Sequence, residues 1–201
     1  KPPREPCGRW PGGLKMTGNI VVVRGAGDLA TGTIHKLIKC GYRVLATEQA
    51  RPGAIRRRVA LSEAVYDGSA AVEGVTAVLV ADLDAALKIM ESGKVPVLVD
   101  PDFRLASELR PAAVVDAILA KRNLGTTLDM APVTIALGPG FTAGKDVRAV
   151  IETMRGHNLG RVIWEGQAAP NTGVPGVVGG FDKERVIYAK VGGNIHIERD
   201  I

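Results

Sequence analysis

Two glycine turns mark the places where this sequence could hold an anion. The first runs from Gly25 through Gly27 to Ala30, between an apolar β-branched run and a helix-like segment. Glycines permit a tight turn and let a phosphate approach the amides at a helix N-terminus, so these three residues are predicted to shape a phosphate turn. Glu48 ends the next apolar run about 20 residues later, where a dinucleotide fold places the carboxylate that holds a ribose hydroxyl.

Asp28 lies inside the first turn and argues against a simple phosphate cradle, because its carboxylate would repel a pyrophosphate. It could instead cap the helix or meet a metal. A tight strand-to-helix turn without any ligand is the alternative interpretation of the whole motif.

The second turn contains Gly138, Gly140 and Thr142, with Lys145 close behind. The hydroxyl and the cation are compatible with a second anion site that uses Gly138, Gly140 and Thr142. A purely structural turn explains the same residues equally well, and both interpretations stay open.

Basic residues cluster in two loops. Arg51 and Arg56 to Arg58 follow Glu48, and Lys121 and Arg122 follow an apolar run near residue 119. Arg56, Arg57, Lys121 and Arg122 are predicted to neutralise phosphates, since Arg forks bind phosphate in a bidentate manner and ligand loops follow the strands of open α/β sheets. Pairing of the first cluster with Glu63 or Asp67 is the alternative, and Arg51 could accept a 2′-phosphate.

Composition narrows the class of protein. A chain of 201 residues with 46% hydrophobic but only 4% aromatic residues predicts an aliphatic core. The formal charge of +5 comes largely from the first 17 residues, which carry four basic residues and one acidic residue, so no nucleic-acid partner is expected. The three histidines have no metal-ligand spacing, and no tightly bound metal is expected.

Cysteine content and hydropathy bear on the compartment. Cys7 and Cys40 are too few for a disulfide scaffold. No apolar run approaches the length of a membrane span, and the N-terminus lacks the apolar core of a signal peptide. We therefore expect a cytoplasmic protein without membrane contact.

Strand-like and helix-like segments alternate along the chain. Strands are predicted at 19–24, 42–47, 76–80, 95–99 and 112–119, and helices at 29–40 and 82–92, the latter with Asp82 as N-cap. This alternation predicts an α/β fold with a mainly parallel sheet.

The second half partly repeats the first. A strand at 133–137 precedes the second glycine turn, a helix is predicted from Asp146 to Met154, and a strand from Arg161 to Glu165. The order resembles that around the first turn, and an internal duplication is left open.

Four segments follow from this pattern. Residues 1–17 are expected to be a disordered or extraneous tail, with Met16 as a natural start. An α/β domain covers 18–130, and a second glycine-turn unit, 131–168, packs on it. A β-rich segment, 169–201, includes alternating runs at 185–190 and 194–198.

Several longer strings match one family in register. They begin at Arg24-Gly-Ala-Gly-Asp-Leu-Ala-Thr-Gly32 and continue through 55–68, 120–130, 138–144, 155–161 and 170–176. Together they resemble the selenium-dependent molybdenum hydroxylase accessory proteins, relatives of the xanthine dehydrogenase accessory factors. Such proteins usually continue beyond the position of Ile201 into a further β-rich region, so this chain is expected to be truncated relative to them.

The resemblance implies a Rossmann-like protein that matures a molybdenum hydroxylase. Its ligand would be the molybdopterin cofactor in its dinucleotide form, or a nucleotide, and its protein partner the hydroxylase apoenzyme. Direct handling of selenium or sulfur, a catalysed step and homo-oligomerisation are left open. The alternatives are an NAD(P)-dependent oxidoreductase, which explains the first turn and Glu48, and a docking scaffold that binds nothing small.

Overall fold

The fold is built on one large twisted sheet. The computed structural model describes residues 20–174, 176–181, 184 and 189–193. The strands are β1 (Ile20–Arg24), β2 (Arg43–Glu48), β3 (Ser69–Val72), β4 (Val75–Val80), β5 (Val95–Val99), β6 (Ala113–Asp116), β7 (Val133–Leu137), β8 (Thr142–Ala143), β9 (Ala149–Ile151), β10 (Val162–Ile163) and β11 (Gly166–Gln167). The helices are α1 (Asp28–Lys39), α2 (Ala64–Asp67), α3 (Leu83–Glu91) and α4 (Arg104–Ser107).

Nine of these strands form one sheet in the order β10-β9-β7-β6-β1-β2-β5-β4-β3, while β8 and β11 pair separately. Neighbours are parallel from β4 across to β9, and the outer pairs β3–β4 and β9–β10 are antiparallel. The predicted α/β class with a mainly parallel, Rossmann-like sheet and a β-rich C-terminal part is thereby confirmed.

The chain reverses its direction of travel across the sheet at β1. From β1 it moves through β2 towards one edge, and it later returns to place β6 on the other side of β1. In open α/β sheets, ligands bind in the crevice outside the carboxyl ends of the strands at such a switch point. The carboxyl ends of β1 and β6 are therefore where a site is expected.

Apolar residues cover both faces of the sheet. Val21 and Val23 pack with Ile34 of α1 on one face, and Val22 packs with Ala86 of α3 on the other. Successive strand side chains point to opposite faces, so a strand buried on both sides reads as a continuous apolar run. This explains why the central strands were recognisable in the sequence.

The two longer helices begin differently. The Asp82 side chain accepts a hydrogen bond from the amide of Ala85 and caps α3, as predicted. Gly27 occupies the N-cap of α1, and no side chain caps that end. In the first turn of α1 the Leu29 amide donates to the Asp28 carboxylate at 2.9 Å, so only the remaining amides are donors that no capping side chain engages.

The prediction of a helix from Asp146 to Met154 is wrong. Residues Ala149–Ile151 form β9, which adds to the sheet beside β7. Val147 and Val150 suit a helix face or a buried strand equally, and the open edge of β7 decides for the strand because its backbone groups need partners. Without this helix the second half no longer repeats the first, which removes the basis for a duplication.

The chain divides into two compact units at residues 170 and 171. The first unit contains every strand and helix given above. In the second, Val178 and Phe181 form an isolated antiparallel bridge. The predicted tail and most of the alternating runs at 185–190 and 194–198 lie outside the described residues.

Candidate functional site

A buried charge pair occupies the switch point. Arg24 ends β1 and Asp116 ends β6, and the parallel register places these two residues side by side. Each residue is only 1% exposed, and their charged groups lie 3.7 Å apart. Charges are rarely this buried unless they are paired and hydrogen-bonded, so the arrangement holds neighbouring chain segments in place.

The Arg24 guanidinium ties two loops to the end of β1. It donates to the Pro101 carbonyl at 2.9 Å, to the Leu124 carbonyl at 3.2 Å and to the Thr126 hydroxyl. Its Nε has no partner among the described residues. The connection between β6 and β7, residues 117–132 and called the β6–β7 crossover below, is thus held over the switch point.

Asp116 lies beneath that crossover. Burial raises the pKa of its carboxyl, whereas hydrogen bonds from the Thr126 hydroxyl and the Ile118 amide, together with the charge of Arg24, oppose the rise. Asn123 and Thr126 also bond through the Asn123 side chain and the Thr126 backbone. The crossover between Ala117 and Thr126 is therefore an ordered loop.

The first glycine turn packs against the start of the same crossover. Gly25 has φ +97°, and a Cβ on it would lie 3.0 Å from the Ala117 carbonyl oxygen, so the fold itself requires glycine there. Gly27 differs, because its φ of −64° suits any residue and a Cβ would meet nothing within 4 Å. Ala30 is buried in α1 against the core.

Glu48 supports the first turn. One of its carboxylate oxygens accepts the Ala26 amide at 2.9 Å, and the other accepts the Gln49 amide at 2.9 Å. The Ser62 amide donates to the Ala26 carbonyl at 2.8 Å. A ribose bound by Glu48 would have to share a carboxylate that already holds two backbone donors.

The two predicted arginines have different surroundings. Arg56 pairs with Asp28 at 2.7 Å beside the first turn of α1, so the carboxylate in the glycine turn is neutralised. Arg57 pairs with Glu63 at 2.6 Å and lies over the Tyr66 ring, 5.6 Å from its centroid. The structure thus places Arg56 at the turn, while Arg57 has the carboxylate partner that the alternative interpretation proposed.

The second glycine turn packs against the far end of the crossover. Gly140 has φ +106°, and a Cβ on it would lie 2.6 Å from the Arg122 backbone. Gly138, with φ +77°, faces the Thr153 and Leu119 side chains. Both glycines are explained by contacts within the chain, and among the described residues no helix follows this turn to supply a dipole.

Thr142 is already engaged. Its amide donates to Asp146 at 2.8 Å, and its hydroxyl accepts a hydrogen bond from the Gln167 side chain at 2.8 Å. The Glu152 carboxylate also accepts hydrogen bonds from the backbone. Burial raises the pKa of its carboxyl, but hydrogen bonds from the amides of Ala169, Met154 and Thr153 outweigh that effect and hold the pKa below its usual value. The second turn is thus secured by its own hydrogen bonds.

Lys121 and Arg122 provide free positive charge at this edge. Both are exposed, and in the part of the chain that the structure describes neither has a carboxylate within ion-pair distance. Lys121 has φ +63°, an uncommon backbone conformation for a side chain other than glycine. The crossover contacts Gly25 through Ala117 and contacts Gly140 through Arg122. The structure therefore brings both glycine turns and these two cations to the same edge of the sheet.

A groove of about 720 Å³ lies between the last part of the crossover and the α4 region. Its lining includes Asp102, which follows the Pro101 carbonyl held by Arg24, and Thr127, which follows Thr126. The remaining lining residues come from the α4 region and from the approach to β7: Phe103, Ser107, Arg110, Pro111, Asp129, Met130, Ala131 and Pro132. The volume lies within the range of small-molecule pockets.

One similar protein is considerably longer than this chain. Over 189 residues the chain is 54% identical to a protein of Escherichia coli K12 described as "Uncharacterized protein YqeB". The alignment covers 91% of this chain but 35% of that protein, so the chain spans about a third of the relative's length. No family model and no solved structure matches the chain.

Two further observations concern metals and membranes. Among the described residues, no three His, Cys, Asp or Glu side chains form a group that could hold a metal ion. Within the same ranges no helix has the length and apolar character needed to cross a bilayer.

Sequence reasoning missed the central pair Arg24 and Asp116. The available signal was a charged residue at the end of an apolar run, which occurs in both β1 and β6. The strand order was needed to show that these two ends are neighbours. The groove also escaped prediction, because its lining comes from separate segments on both sides of β6.

Proposed function

We propose that this protein is an accessory factor in the maturation of a selenium-dependent molybdenum hydroxylase. It binds a phosphate-bearing ligand, either a nucleotide or the molybdopterin cofactor, as cargo at the carboxyl edge of the sheet. Its partner is the hydroxylase apoenzyme in the cytoplasm. The register of motifs shared with such accessory proteins supports the role, and the geometry of the edge supports the kind of ligand.

The observation that carries the proposal is Gly27. Nothing in the fold requires glycine there, since its backbone is extended and a Cβ would touch nothing. A close approach of a ligand to the uncapped N-terminus of α1 does require it, and that end of a helix favours anions. Arg56 neutralises Asp28 beside it. Lys121 and Arg122 add positive charge along the same edge, and neither is in an ion pair with any described residue.

The residues of this edge fit a molybdopterin dinucleotide in chemical terms. Backbone donors at α1 and the two cations of the crossover suit a pyrophosphate. The groove offers apolar surface and polar side chains for a heterocycle. The glycines of the second turn have structural duties, so we assign that turn to positioning Arg122.

Titration calorimetry with pyrophosphate, GDP, ADP and isolated molybdenum cofactor tests the proposal. In the Gly27→Asp variant we expect a helix at least as stable, because Asp is a good N-cap, together with loss of phosphate binding through charge repulsion. Gly27→Ser is the matched neutral cap and should retain more binding. Failure of the unaltered protein to bind any phosphate-bearing ligand contradicts the proposal.

An NAD(P)-dependent oxidoreductase is the second candidate, favoured by the glycine turn after β1 and the acid at the end of β2. The two backbone amides that Glu48 already holds weigh against it. Co-purified NAD(P), or turnover of NAD(P)H, would establish this candidate. A protein that captures the hydroxylase after loss of both glycine turns would instead be a scaffold.

A further inference from the structure

The groove beside α4 contains two groups of opposite charge that have no assigned role. Arg110 and Asp129 both line it, together with the apolar side chains of Phe103 and Met130. Within the described ranges, neither Arg110 nor Asp129 takes part in an ion pair. Both side chains are exposed, and the groove surface is about equally polar and apolar. Charges of both signs on such a groove can recognise the donor and acceptor pattern of a bound ring.

The Asp129 carboxylate accepts a hydrogen bond from a nearby residue of its own loop. The Thr127 hydroxyl donates a hydrogen bond to its carboxylate, and this bond lowers the pKa of the carboxyl. Like any exposed aspartate at neutral pH, the side chain is an ionised, acceptor-only group. It can pair with adjacent N–H donors on the edge of a ring, but it repels an acceptor nitrogen.

The groove and the phosphate edge share one chain segment. The β6–β7 crossover carries Lys121 and Arg122 in its first part and Thr127 to Ala131 in its last part. Arg24 holds the middle of this segment at Leu124 and Thr126. A ligand long enough to extend along this segment, with a phosphate at one end and a ring at the other, would contact both parts.

We propose that this groove binds the heterocycle of the ligand, and that Asp129 and Arg110 select a 2-amino-4-oxopyrimidine ring. This edge is common to guanine and pterins: two adjacent N–H donors would face Asp129, and the ring carbonyl would face Arg110. Adenine presents an acceptor nitrogen in place of the first donor, so the same carboxylate disfavours it. The inference rests on the proposed function and adds the class of ligand to it.

The test compares GDP, ADP, 6-hydroxymethylpterin and pyrophosphate as calorimetric probes of the full chain. We expect GDP to bind about 10- to 100-fold more tightly than ADP, the usual effect of charge-assisted hydrogen bonds on one ligand edge. Asp129→Asn should abolish this preference without weakening pyrophosphate binding. Asp84→Asn, an exposed change of the same type on α3, should leave the preference intact. Urea unfolding confirms that each variant is folded.

The outcomes separate this inference from the proposed function. Equal affinities for GDP and ADP, both weakened by Lys121→Glu and Arg122→Glu, would overturn the ring selection and leave the phosphate site standing. Preference for ADP would overturn it in favour of the oxidoreductase. Absence of binding by all four probes would overturn both. A GDP preference that survives Asp129→Asn would also reject Asp129 as the selecting residue.

Discussion

Arg24 and Asp116 illustrate how much a single side chain does at the switch point. The Arg24 guanidinium joins the ends of β1 and β6 to two loops, although its Nε finds no partner among the described residues. Removing one partner of a buried pair typically costs about 3–5 kcal/mol, because the other charge is left uncompensated. These residues therefore organise the site whether or not they touch a ligand.

Asp116→Asn provides a pH test of this pair. Burial holds the folded-state pKa of Asp116 above its ordinary value, so its stability contribution is present at low pH and is lost as pH rises through the folded-state pKa. The stability advantage of the unaltered protein over the variant should therefore fall with rising pH, from about pH 4 upward. Urea unfolding across this range measures the difference.

Asp129→Asn is the control for that prediction. The pKa of Asp129 is lowered, so the advantage of the unaltered protein over this variant should change with pH in the opposite direction. An advantage over Asp116→Asn that grows with pH would contradict our account of the buried pair.

At the scale of elements, the β6–β7 crossover is the part that defines the site. It contains no α-helix. Its first part contacts Gly25 and Gly140, and its last part lines the groove. A helix here would cover the sheet in the usual manner of doubly wound folds. The loop instead presents Lys121 and Arg122 at the carboxyl edge and leaves the groove accessible.

Gly140→Ala tests the packing of this crossover. The new Cβ would lie 2.6 Å from the Arg122 backbone at φ +106°, so we expect the free energy of unfolding to fall. The loss should exceed about 1 kcal/mol. Pyrophosphate affinity should fall as well, because Arg122 is displaced. Chemical denaturation and calorimetry measure the two effects.

Gly32→Ala is the matched control in α1. A Cβ there meets nothing within 4 Å, so the change should stabilise the helix by about 0.5–1 kcal/mol. If both alanine variants have the same stability, contact with Arg122 is not what requires glycine at position 140.

At the scale of the whole molecule, the first compact unit holds the complete nine-stranded sheet and ends at Pro170. Its last residues are structural, since Ala168 belongs to a core cluster and the Ala169 amide bonds to Glu152. The alignment of this chain with its longer relative covers 35% of that relative.

A shortened protein ending at Pro170 should therefore keep its cooperative unfolding and its pyrophosphate affinity. A protein ending at Gly160 should lose both, because it lacks β10, β11 and the partner of Glu152. Circular dichroism during thermal unfolding, together with calorimetry, distinguishes the two. Loss of folding in the longer variant would show that the first unit depends on residues beyond 170.

Much of the fold could be read from local patterns. The strands β1, β2, β5 and β7 are apolar runs bounded by turns, and Asp82 is an N-cap residue directly before α3. Burial of a strand and capping of a helix both select residue types at neighbouring positions, so both are visible in the sequence. The predicted helix at 146–154 failed where the pattern was ambiguous and the free edge of β7 decided between helix and strand.

The site divides in the same way. The glycine turn at Gly25 and the cations Lys121 and Arg122 were recognisable, because backbone geometry and charge are properties of individual residues. Only the tertiary structure joins Arg24 to Asp116, commits Glu48 to Ala26, places Gly140 against Arg122 and opens the groove at Asp129. These contacts depend on strand order and on segments distant in sequence, which local residue patterns do not encode.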